Sequence, residues 1–470
     1  KGVPTYRESK LGKEYRGFRK AIGDKWAKGQ GCGQSNNAVD LSTSTLFDDS
    51  IGIRAAFYVN WDKKNSFQSL EKNIAKLNLV LPEWFFLDST SGRLRTDIDN
   101  KALAVMRTAG VKIMPILTNN INQIFRGELV KNILKNKAKS DLLINDIIQA
   151  LQQNGFAGVN IDFEELNLEN DKILVAFQKD LYEKLHAQKF IVTQDVIPFN
   201  DDYNFKALEK YNDYLILMAY DEHHGDGDAG PIGGQKWIEA AVDKITDVVP
   251  ANKVILAMAA FGYDWKLKSN DVAKAYTYQE AIGNAKKYES SVYFDNTTYN
   301  LHYQYYNEDD DSLHEVHFTD AATIFNTLRF ATESKLAGTS IWRLGGEDER
   351  IWDFYHLEMT KEALADFNFT NFARLEAGSA PLYFGEGEIL DIVQTPKPGV
   401  LRTEIDTDAL LISEEYFDKL PSTYVLRKYG DTKKRKLVLT YDDGPDPKYT
   451  KQILDTLAHY RIPANFFIVG

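Results

Sequence analysis

Gly158-Val159-Asn160-Ile161-Asp162-Phe163-Glu164-Glu165 decides the fold of this 470-residue chain, because it combines an apolar β-strand pattern with acidic side chains. Successive side chains on a strand point to opposite faces, so Asn160, Asp162 and Glu164 share one face and the apolar residues between them share the other. In a barrel, the apolar face meets the helices and the polar face points inward. Polar residues at the carboxyl end of a barrel strand are typical of a catalytic site.

Seven further apolar, β-rich runs resemble this one, and amphipathic helical stretches separate them. The eight predicted strands cover residues 53–60, 79–88, 112–118, 158–165, 190–197, 214–221, 254–261 and 338–345. Strands that alternate with helices form parallel sheets through right-handed crossovers. Eight such units over about 300 residues predict an α/β fold of the (β/α)8 TIM-barrel type and disfavour the alternative, a doubly wound open sheet.

The rest of the chain divides where its composition changes. The predicted segments are an N-terminal extension (1–50), the barrel (51–357) with a small α+β insertion after its seventh strand (264–320), a short β-rich linker (358–435) and the first β-α-β piece of another domain (436–470). Because the chain ends just after an apolar run, we expect it to be a fragment of a longer protein.

The composition bounds the classes of function. The chain is 43% hydrophobic and 26% charged, as in a folded soluble protein. Its net charge of -12 argues against a broad nucleic-acid-binding surface. Cys32 is the single cysteine, so no intrachain disulfide can form. No apolar run reaches the ~18 residues of a membrane helix, and no signal peptide is visible, although the chain starts without Met.

Asp162 and Glu164 have two interpretations. One is a buried polar network without catalysis, but buried carboxylates are costly unless each is paired. The other is an acid–base site, because neighbouring carboxyls split their pKa values, so that one stays charged while the other keeps a proton and acts as an acid. Their place at the mouth of a barrel favours the second interpretation.

Four segments, in chain order, resemble the family-18 glycoside hydrolases. On the fourth strand that family carries Asp-Gly-x-Asp-x-Asp-x-Glu; this chain keeps Asp162 and Glu164 but has Ala157 and Asn160 at the first two Asp positions. Asn at the second position resembles the spore-cortex-lytic bacterial branch of the family. The other three segments are Met218-Ala219-Tyr220-Asp221, Phe261-Gly262-Tyr263-Asp264-Trp265 and Ser340-Ile341-Trp342-Arg343-Leu344.

The resemblance implies retaining, substrate-assisted hydrolysis of β-linked N-acetylglucosamine-containing polysaccharide, without a cofactor. Glu164 would protonate the glycosidic oxygen, Asp162 would hold the acetamido N–H, and Tyr220 would donate to the acetamido oxygen. Asn160 would hydrogen-bond Asp162, and Trp342 would stack beneath the sugar. The other predicted substrate-binding residues are Met218, Asp221, Tyr58, Trp61, Gln194 and Tyr263.

A second motif lies near the end of the chain, where Thr440-Tyr441-Asp442-Asp443-Gly444-Pro445 joins an apolar strand to a predicted helix at 448–460. An Asp-Gly turn without function is one interpretation. The segment also resembles the opening of the polysaccharide deacetylase family. That resemblance implies that Asp442 is a general base and that Asp443 is a ligand of a divalent metal, usually zinc. The other ligands of that family lie further downstream, so we expect no deacetylase activity from residues 1–470.

The order of barrel, linker and deacetylase resembles large bacterial membrane proteins that continue into a family-2 glycosyltransferase. It implies an amino-sugar polysaccharide as partner and an extracytoplasmic or cell-surface location, with membrane association of the full-length protein. The oligomeric state stays open. Two alternatives to an enzyme also stay open: a carbohydrate-binding barrel, favoured by Ala157 and Asn160, and a scaffold for the deacetylase. Glu164 argues against the binding barrel, because a lectin needs no acid there.

Overall fold

A computed structural model describes residues 51–166, 172–378, 381–430 and 437–469. The predicted N-terminal extension (1–50), with Cys32, lies outside the described residues. The chain divides into two compact units: the first extends to Ala377 and also contains Lys397–Ser422, and the second contains Gly378–Pro396 and Thr423–Gly470. Among the described residues, none of the helices is both long and apolar enough to span a bilayer.

Strands and helices alternate through the first unit. The strands up to residue 342 are β1 (Ile53–Tyr58), β2 (Leu79–Pro82), β3 (Phe85–Leu87), β4 (Leu94–Thr96), β5 (Lys112–Ile113), β6 (Ile116–Thr118), β7 (Asn120–Ile121), β8 (Ile124–Phe125), β9 (Gly158–Asp162), β10 (Ile191–Val196), β11 (Tyr214–Met218), β12 (Val254–Ala259), β13 (Gly262–Lys266), β14 (Lys274–Tyr276), β15 (Tyr293–Phe294), β16 (Leu301–Asn307), β17 (Ser312–Phe318) and β18 (Gly338–Trp342). The described α-helices of this unit are α1 (Lys63–Asn73), α2 (Asn100–Ala109), α3 (Gly127–Leu134), α4 (Lys137–Asn154), α5 (Lys172–His186), α6 (Phe205–Leu208), α7 (Gln235–Thr246), α8 (Tyr278–Lys287) and α9 (Ala321–Glu333).

Eight strand positions pair in parallel around a ring. Along one side of the ring, β12 pairs with β18, β18 with β1, β1 with β2 and β2 with β5. Along the other side, β3 pairs with β6, and β6, β9, β10, β11 and β12 follow in order. The ring closes because β2 and β3 are two halves of one interrupted strand, as are β5 and β6. This confirms the predicted (β/α)8 barrel.

Two glycines allow barrel strands to approach closely. A Cβ atom at Gly158, where β9 begins, would lie 2.0 Å from the carbonyl oxygen of Ile191 on β10. A Cβ atom at Gly338, where β18 begins, would lie 2.2 Å from the carbonyl oxygen of Ile53 on β1. A side chain at either position would push the neighbouring strand away, so the barrel wall requires glycine there.

The strand residues divide between an inner and an outer apolar layer. The inner layer includes Ala55, Phe57, Leu79, Leu81, Ile116, Ile191, Ile216, Ile255 and Ala257. The alternate residues of the same strands, such as Val159, Ile161 and Leu217, pack outward against the helices. This division follows the two-residue period of strands, and it determines which polar side chains reach the barrel interior.

The remaining strands are β19 (Leu382–Gly385), β20 (Ile389–Gln394), β21 (Val400–Asp406), β22 (Leu411–Lys419), β23 (Val425–Tyr429), β24 (Leu439–Gly444) and β25 (Ala464–Ile468), and helix α10 (Thr450–Tyr460) lies between the last two. The predicted insertion belongs to an antiparallel sheet with the order β14-β13-β17-β16-β15-β22-β21. Helix α8 lies between β14 and β15 in sequence.

The segment 358–435 differs from a simple linker, although it contains the predicted short strands. Its hairpin β21–β22 joins the sheet of the insertion, where Tyr416 lies opposite Tyr293. The side chain of Asn326 on α9 donates to the carbonyl oxygen of Ile412 at 2.8 Å and accepts from the N–H of Ile412 at 2.9 Å. Those buried contacts make the hairpin part of the first unit.

The second unit contains the sheet β19-β23-β20 and the β24-α10-β25 segment. Strands β24 and β25 pair in parallel, with Leu439 opposite Ala464. A helix between two parallel strands is a βαβ unit, as predicted for the end of the chain.

Candidate active site

The carboxyl ends of β9, β10 and β11 bring polar side chains into the barrel mouth. Strand β9 ends at Asp162, and Glu164 follows two residues later. In the parallel register Asn160 lies opposite Thr193 of β10, and Asp195 lies opposite Ile216 of β11. Because Ile216 belongs to the inner apolar layer, Asp195 points into the barrel as well.

The backbone around Glu164 is held on both sides. The side chain of Asn119, which follows β6, accepts from the Glu164 N–H at 3.0 Å and donates to the Glu164 carbonyl oxygen at 2.8 Å. The hydroxyl of Tyr203 donates to the carbonyl oxygen of Phe163 at 2.9 Å. These bonds fix the peptide that carries Glu164, as expected for a preorganised site.

The structure brings the Asp162 and Glu164 carboxyls into hydrogen-bonding contact, and both residues are half-buried. Burial raises the pKa of Asp162 to about 6, although the neighbouring Thr118 hydroxyl and Glu164 lower it. Burial also raises the pKa of Glu164 well above its usual range, and the charges of Asp162, Asp195 and Asp221 raise it further. Glu164 therefore keeps its proton near neutral pH while Asp162 is ionised, which is the arrangement of a general acid beside an anion.

Strand β11 leads to three further predicted residues. Met218 is buried and lies opposite Ala257 of the inner layer. Burial and the surrounding carboxylates raise the pKa of Tyr220 well above its usual range, so its hydroxyl remains a proton donor. Asp221 accepts from the hydroxyl of Tyr263 at 3.1 Å, and burial raises the pKa of Asp221 to about 6. The structure thus places Met218, Tyr220 and Asp221 together at the carboxyl end of β11, with Tyr263 bonded to Asp221.

Trp342 and Trp61 occupy different positions at the mouth. Trp342 ends β18, is half-buried and packs edge-on against Phe57 of the inner layer, with ring centroids 5.1 Å apart. Trp61 is 64% exposed, and the guanidinium of Arg343 lies 4.3 Å from its ring centroid. An aromatic floor and an aromatic rim can both stack on apolar faces of a ligand.

Glu83 is a site residue that was not predicted. It lies between β2 and β3, and one of its carboxyl oxygens accepts from the indole N–H of Trp61 at 2.9 Å. Burial and the charge of Asp162 raise the pKa of Glu83 to about 7. The sequence could have identified Glu83 as a site residue. It comes directly after the apolar residues of β2, just as Asp162 comes after the apolar residues of β9, and this is the end of a barrel strand where site residues lie.

Two predicted substrate-binding residues do not reach the site. Tyr58 is buried on the outer side of β1, where its hydroxyl donates to Asp99, the N-cap of α2, at 2.7 Å. Gln194 is 0% exposed and lies opposite Ile161, which packs outward. Both assignments are wrong because neighbouring strand residues alternate faces, and the residues beside them point inward instead.

The predicted contact of Asn160 is also wrong. Its amide nitrogen donates to Asp195 at 2.6 Å, and its amide oxygen accepts from the Thr193 hydroxyl at 2.7 Å. Asn160 therefore bonds to β10 instead of to Asp162 on its own strand, because residues two apart on one face of a strand lie further apart than residues opposite each other. Asp195 was not predicted as a site residue. The sequence did contain a signal for it, because Thr193 and Asp195 lie two residues apart on a strand and therefore share one polar face.

The C-terminal motif places Asp442 and Asp443 at the end of β24, where both are exposed. Asp443 adopts a φ of +64°, and the register with β25 shifts between Asp442 and Gly444. Among the described residues, no three His, Cys, Asp or Glu side chains are grouped as ligands of a metal. Two exposed carboxylates do not fit zinc, which requires three or four protein ligands.

Two family models match the chain. The model described as "Glycosyl hydrolases family 18" matches residues 55–347, which is more than half of the chain. The model described as "Polysaccharide deacetylase" matches residues 429–470. The first match covers the barrel and its insertion, and the second covers the βαβ unit with Asp442 and Asp443.

One curated relative and two solved structures resemble the barrel. A Bacillus subtilis protein named "Uncharacterized glycosylase YvbX" is 26% identical over 299 residues, which cover 61% of this chain and 86% of that protein. The structure of a Chromobacterium violaceum chitinase has a TM-score of 0.60 at 23% identity and covers 64% of this chain and 96% of its own. The structure of the Bacillus cereus spore cortex-lytic enzyme SleL has a TM-score of 0.60 at 21% identity. The match covers 66% of this chain and 74% of that one. At such identities, the two structures support the fold alone.

Proposed function

Because the chain belongs to family 18 of the glycosyl hydrolases, we propose that it hydrolyses β-linked N-acetylglucosamine-containing polysaccharide with retention of configuration. The observation that carries this proposal is the convergence of Asp162 and Glu164 at the carboxyl end of the barrel strands, where burial raises the pKa of Glu164 well above its usual range and that of Asp162 to about 6. In family 18 the substrate's acetamido oxygen replaces an enzyme nucleophile, so one acid and one supporting anion are sufficient.

The first step breaks the glycosidic bond. Glu164 gives its proton to the glycosidic oxygen, which leaves as an alcohol. At the same time the acetamido oxygen attacks the anomeric carbon and forms a cyclic cation. Water then attacks that carbon from the face that the leaving group vacated and gives a proton back to Glu164. Two inversions retain the configuration, and the acid is regenerated.

Asp162 and Tyr220 act on the acetamido group. The Asp162 carboxylate accepts the acetamido N–H and stabilises the positive charge that develops on the ring. The Tyr220 hydroxyl, which stays protonated because its pKa is raised, donates to the acetamido oxygen and aligns it for attack. Trp342 provides the aromatic surface beneath the sugar.

The substrate can be tested by incubating the chain with chito-oligosaccharides, peptidoglycan and poly-N-acetylglucosamine. We expect Glu164→Gln to reduce turnover by at least about 100-fold, because the amide has no proton to give, while binding of oligosaccharide is largely retained. Glu165→Gln is the matched control, since Glu165 is the exposed neighbour. Equal turnover by Glu164→Gln and the wild type would exclude the assignment.

A carbohydrate-binding barrel is the second candidate function. Exposed Trp61 offers a stacking surface that needs no acid, and Ala157 and Asn160 depart from the family's motif. The same experiment separates the two candidates, because a binding barrel would retain oligosaccharide without releasing product in either the wild type or Glu164→Gln.

We also propose that a protein with both this barrel and a complete deacetylase domain deacetylates the same polymer. The support is the match of residues 429–470 to the polysaccharide deacetylase model. In that domain Asp442 would be the base and Asp443 one ligand of zinc or another divalent ion, whose other ligands are not among the described residues of this chain. Such a protein would act on an extracytoplasmic polymer at the membrane. Deacetylation by residues 1–470 alone would contradict this division of roles.

A further inference from the structure

The outer face of the insertion sheet carries a row of ring side chains that the proposed mechanism does not use. Strands β13, β17, β16, β15 and β22 are consecutive neighbours in this sheet. Their register sets one ring residue of each strand opposite a ring residue of the next, and these form the ring row: Tyr263, His317, His302, Tyr293 and Tyr416. Residues opposite each other on neighbouring strands share a face, so the ring row crosses the sheet in one line.

The opposite face of the same sheet is buried, which leaves the ring row on the outside. On β16, Leu301 and Tyr303 are 0% exposed, and the Tyr303 hydroxyl donates to the carbonyl oxygen of Ala281 on α8 at 2.8 Å. The alternate positions of β16 point the other way. On the neighbouring strand β15, Tyr293 is 58% exposed, so the ring row is open to solvent there.

The inner end of the ring row lies at the candidate active site. The hydroxyl of Tyr263 donates to Asp221 at 3.1 Å, and Asp221 is one of the carboxylates that raise the pKa of Glu164. The Tyr263 ring also packs edge-on against Phe261, with centroids 5.3 Å apart, and Phe261 packs in the same way against Tyr220 at 5.9 Å. A polymer that extends from the catalytic residues toward β13 therefore meets the ring row.

The middle of the ring row is a stack that supports Tyr293. The imidazole rings of His302 and His317 are stacked, with centroids 5.4 Å apart and an angle of 20° between their planes. His302 also contacts the Tyr293 ring at 5.8 Å. Nε2 of His317 lies 2.7 Å from one oxygen of Glu315, whose other oxygen accepts from the Gln304 amide at 2.7 Å. These contacts hold Tyr293 in place before any ligand binds.

An exposed tyrosine ring with one supported side suits a sugar. The ring offers an apolar surface, and its hydroxyl offers a hydrogen-bonding group. Among the described residues, Tyr293 contacts the ring of His302 and no other ring. Tyr416 follows on β22, where the guanidinium of Arg402 lies 4.8 Å from its ring centroid. Four intervals between neighbouring strands make the ring row about 19 Å long, which exceeds a single sugar ring.

We propose that the ring row binds the sugar units of the polymer that lie beyond the cleaved bond, with Tyr293 as its main stacking residue. This inference rests on the proposed function, and the ligand is a β-linked N-acetylglucosamine chain. The outer end of the ring row belongs to the β21–β22 hairpin, which follows the family-18 match at residues 55–347. The ring row gives the barrel a preference for long chains, because a short oligosaccharide at the catalytic residues does not reach Tyr293.

Binding as a function of chain length tests the proposal. Chito-oligosaccharides from the dimer to the octamer are titrated by calorimetry into Glu164→Gln, so that cleavage does not interfere. We expect the affinity to increase with length until the chain reaches Tyr293. When Tyr293→Ala is added, the ratio of octamer affinity to dimer affinity should fall about tenfold, as expected for one lost aromatic contact. Tyr293→Phe keeps the ring and should restore most of this ratio.

Tyr306→Ala is the matched control. Tyr306 is 52% exposed on the same face of β16 as His302, but it lies outside the ring row. Its removal should leave the ratio as it is in Glu164→Gln. An unchanged ratio in Tyr293→Ala, an equal fall in Tyr306→Ala, or a loss of the same size at every chain length would overturn the proposal.

Turnover separates a failure of this inference from a failure of the proposed function. If the wild type cleaves none of the substrates, the proposed function fails, and the binding series still decides whether the ring row holds the polymer. If the wild type is active and Tyr293→Ala keeps the wild-type ratio of kcat/KM between octamer and trimer, the ring row has no role in binding while the hydrolase assignment stands.

Discussion

Glu164 is positioned by contacts to its backbone more than to its side chain. Asn119 holds both the N–H and the carbonyl oxygen of its peptide, and Tyr203 holds the preceding carbonyl oxygen. The side chain itself has the Asp162 carboxyl as its hydrogen-bond partner. Burial raises the pKa of both Asp162 and Glu164, so raising the pH above the ordinary carboxyl pKa of about 4 favours the unfolded chain, where both ionise freely. A site that costs stability in this way is typical of catalysis.

The raised pKa of Asp162 predicts the acid side of the pH profile. Its anion is required to support the ring charge, so kcat/KM should rise with pH through about 6 and fall again when Glu164 loses its proton. The measurement is kcat/KM against pH with a chito-oligosaccharide. Asp162→Asn should remove the acid limb and lower turnover by about 100-fold or more. An acid limb that persists in this variant would assign it to another group.

At the scale of elements, neighbouring strands determine the site as much as the catalytic strand does. Glu83 comes from the turn after β2, Asp195 from β10, and Tyr220 from the end of β11. The carboxyl ends of parallel barrel strands meet at one mouth, so short polar segments far apart in sequence converge there. A similar long-range contact attaches the β21–β22 hairpin to α9.

Asn326→Ala should destabilise the first unit, because Asn326 bonds both backbone groups of Ile412 in the buried interior. Loss of the amide leaves an N–H and a carbonyl without partners, which costs about 2 kcal/mol or more. The measurement is the free energy of unfolding from urea denaturation, with Gln152→Ala at an exposed position of α4 as the control. A change no larger than that of the control would mean that the hairpin is held by other contacts.

At the scale of the whole molecule, the family matches and the compact units do not share their boundaries. The family-18 match ends at residue 347, but Lys397–Ser422 still belong to the first unit. Glu415 of the hairpin is buried and lies 3.6 Å from Arg350, which also pairs with Asp320 and Asp348. The barrel unit therefore needs chain that follows its family match.

Truncation tests this boundary. A chain that ends at residue 377 loses the hairpin, uncovers the edge of β15 and removes Glu415 from its partner. A chain that ends at residue 422 keeps the hairpin, the covered edge of β15 and the contact of Glu415 with Arg350. We expect the shorter chain to have a Tm lower by about 5 °C or more, because it loses buried area and gains an open strand edge. Equal Tm values, measured by calorimetry, would show that the hairpin adds nothing to the first unit.

The sequence by itself determined the eight strand regions and the shared face of Asp162 and Glu164, because both depend on local patterns: the two-residue period of strands and their alternation with helices. The barrel fold could be predicted for the same reason, and the family from the resemblance of four short motifs. Only the tertiary structure decided that Asn160 bonds Asp195, that Glu83 faces Asp162, and that Tyr58 and Gln194 point away from the site. The two contacts depend on the register between strands, which sets residues far apart in the chain beside each other. The orientations of Tyr58 and Gln194 depend on which face of a strand packs inward, and a strand that is buried on both faces does not show this in its sequence.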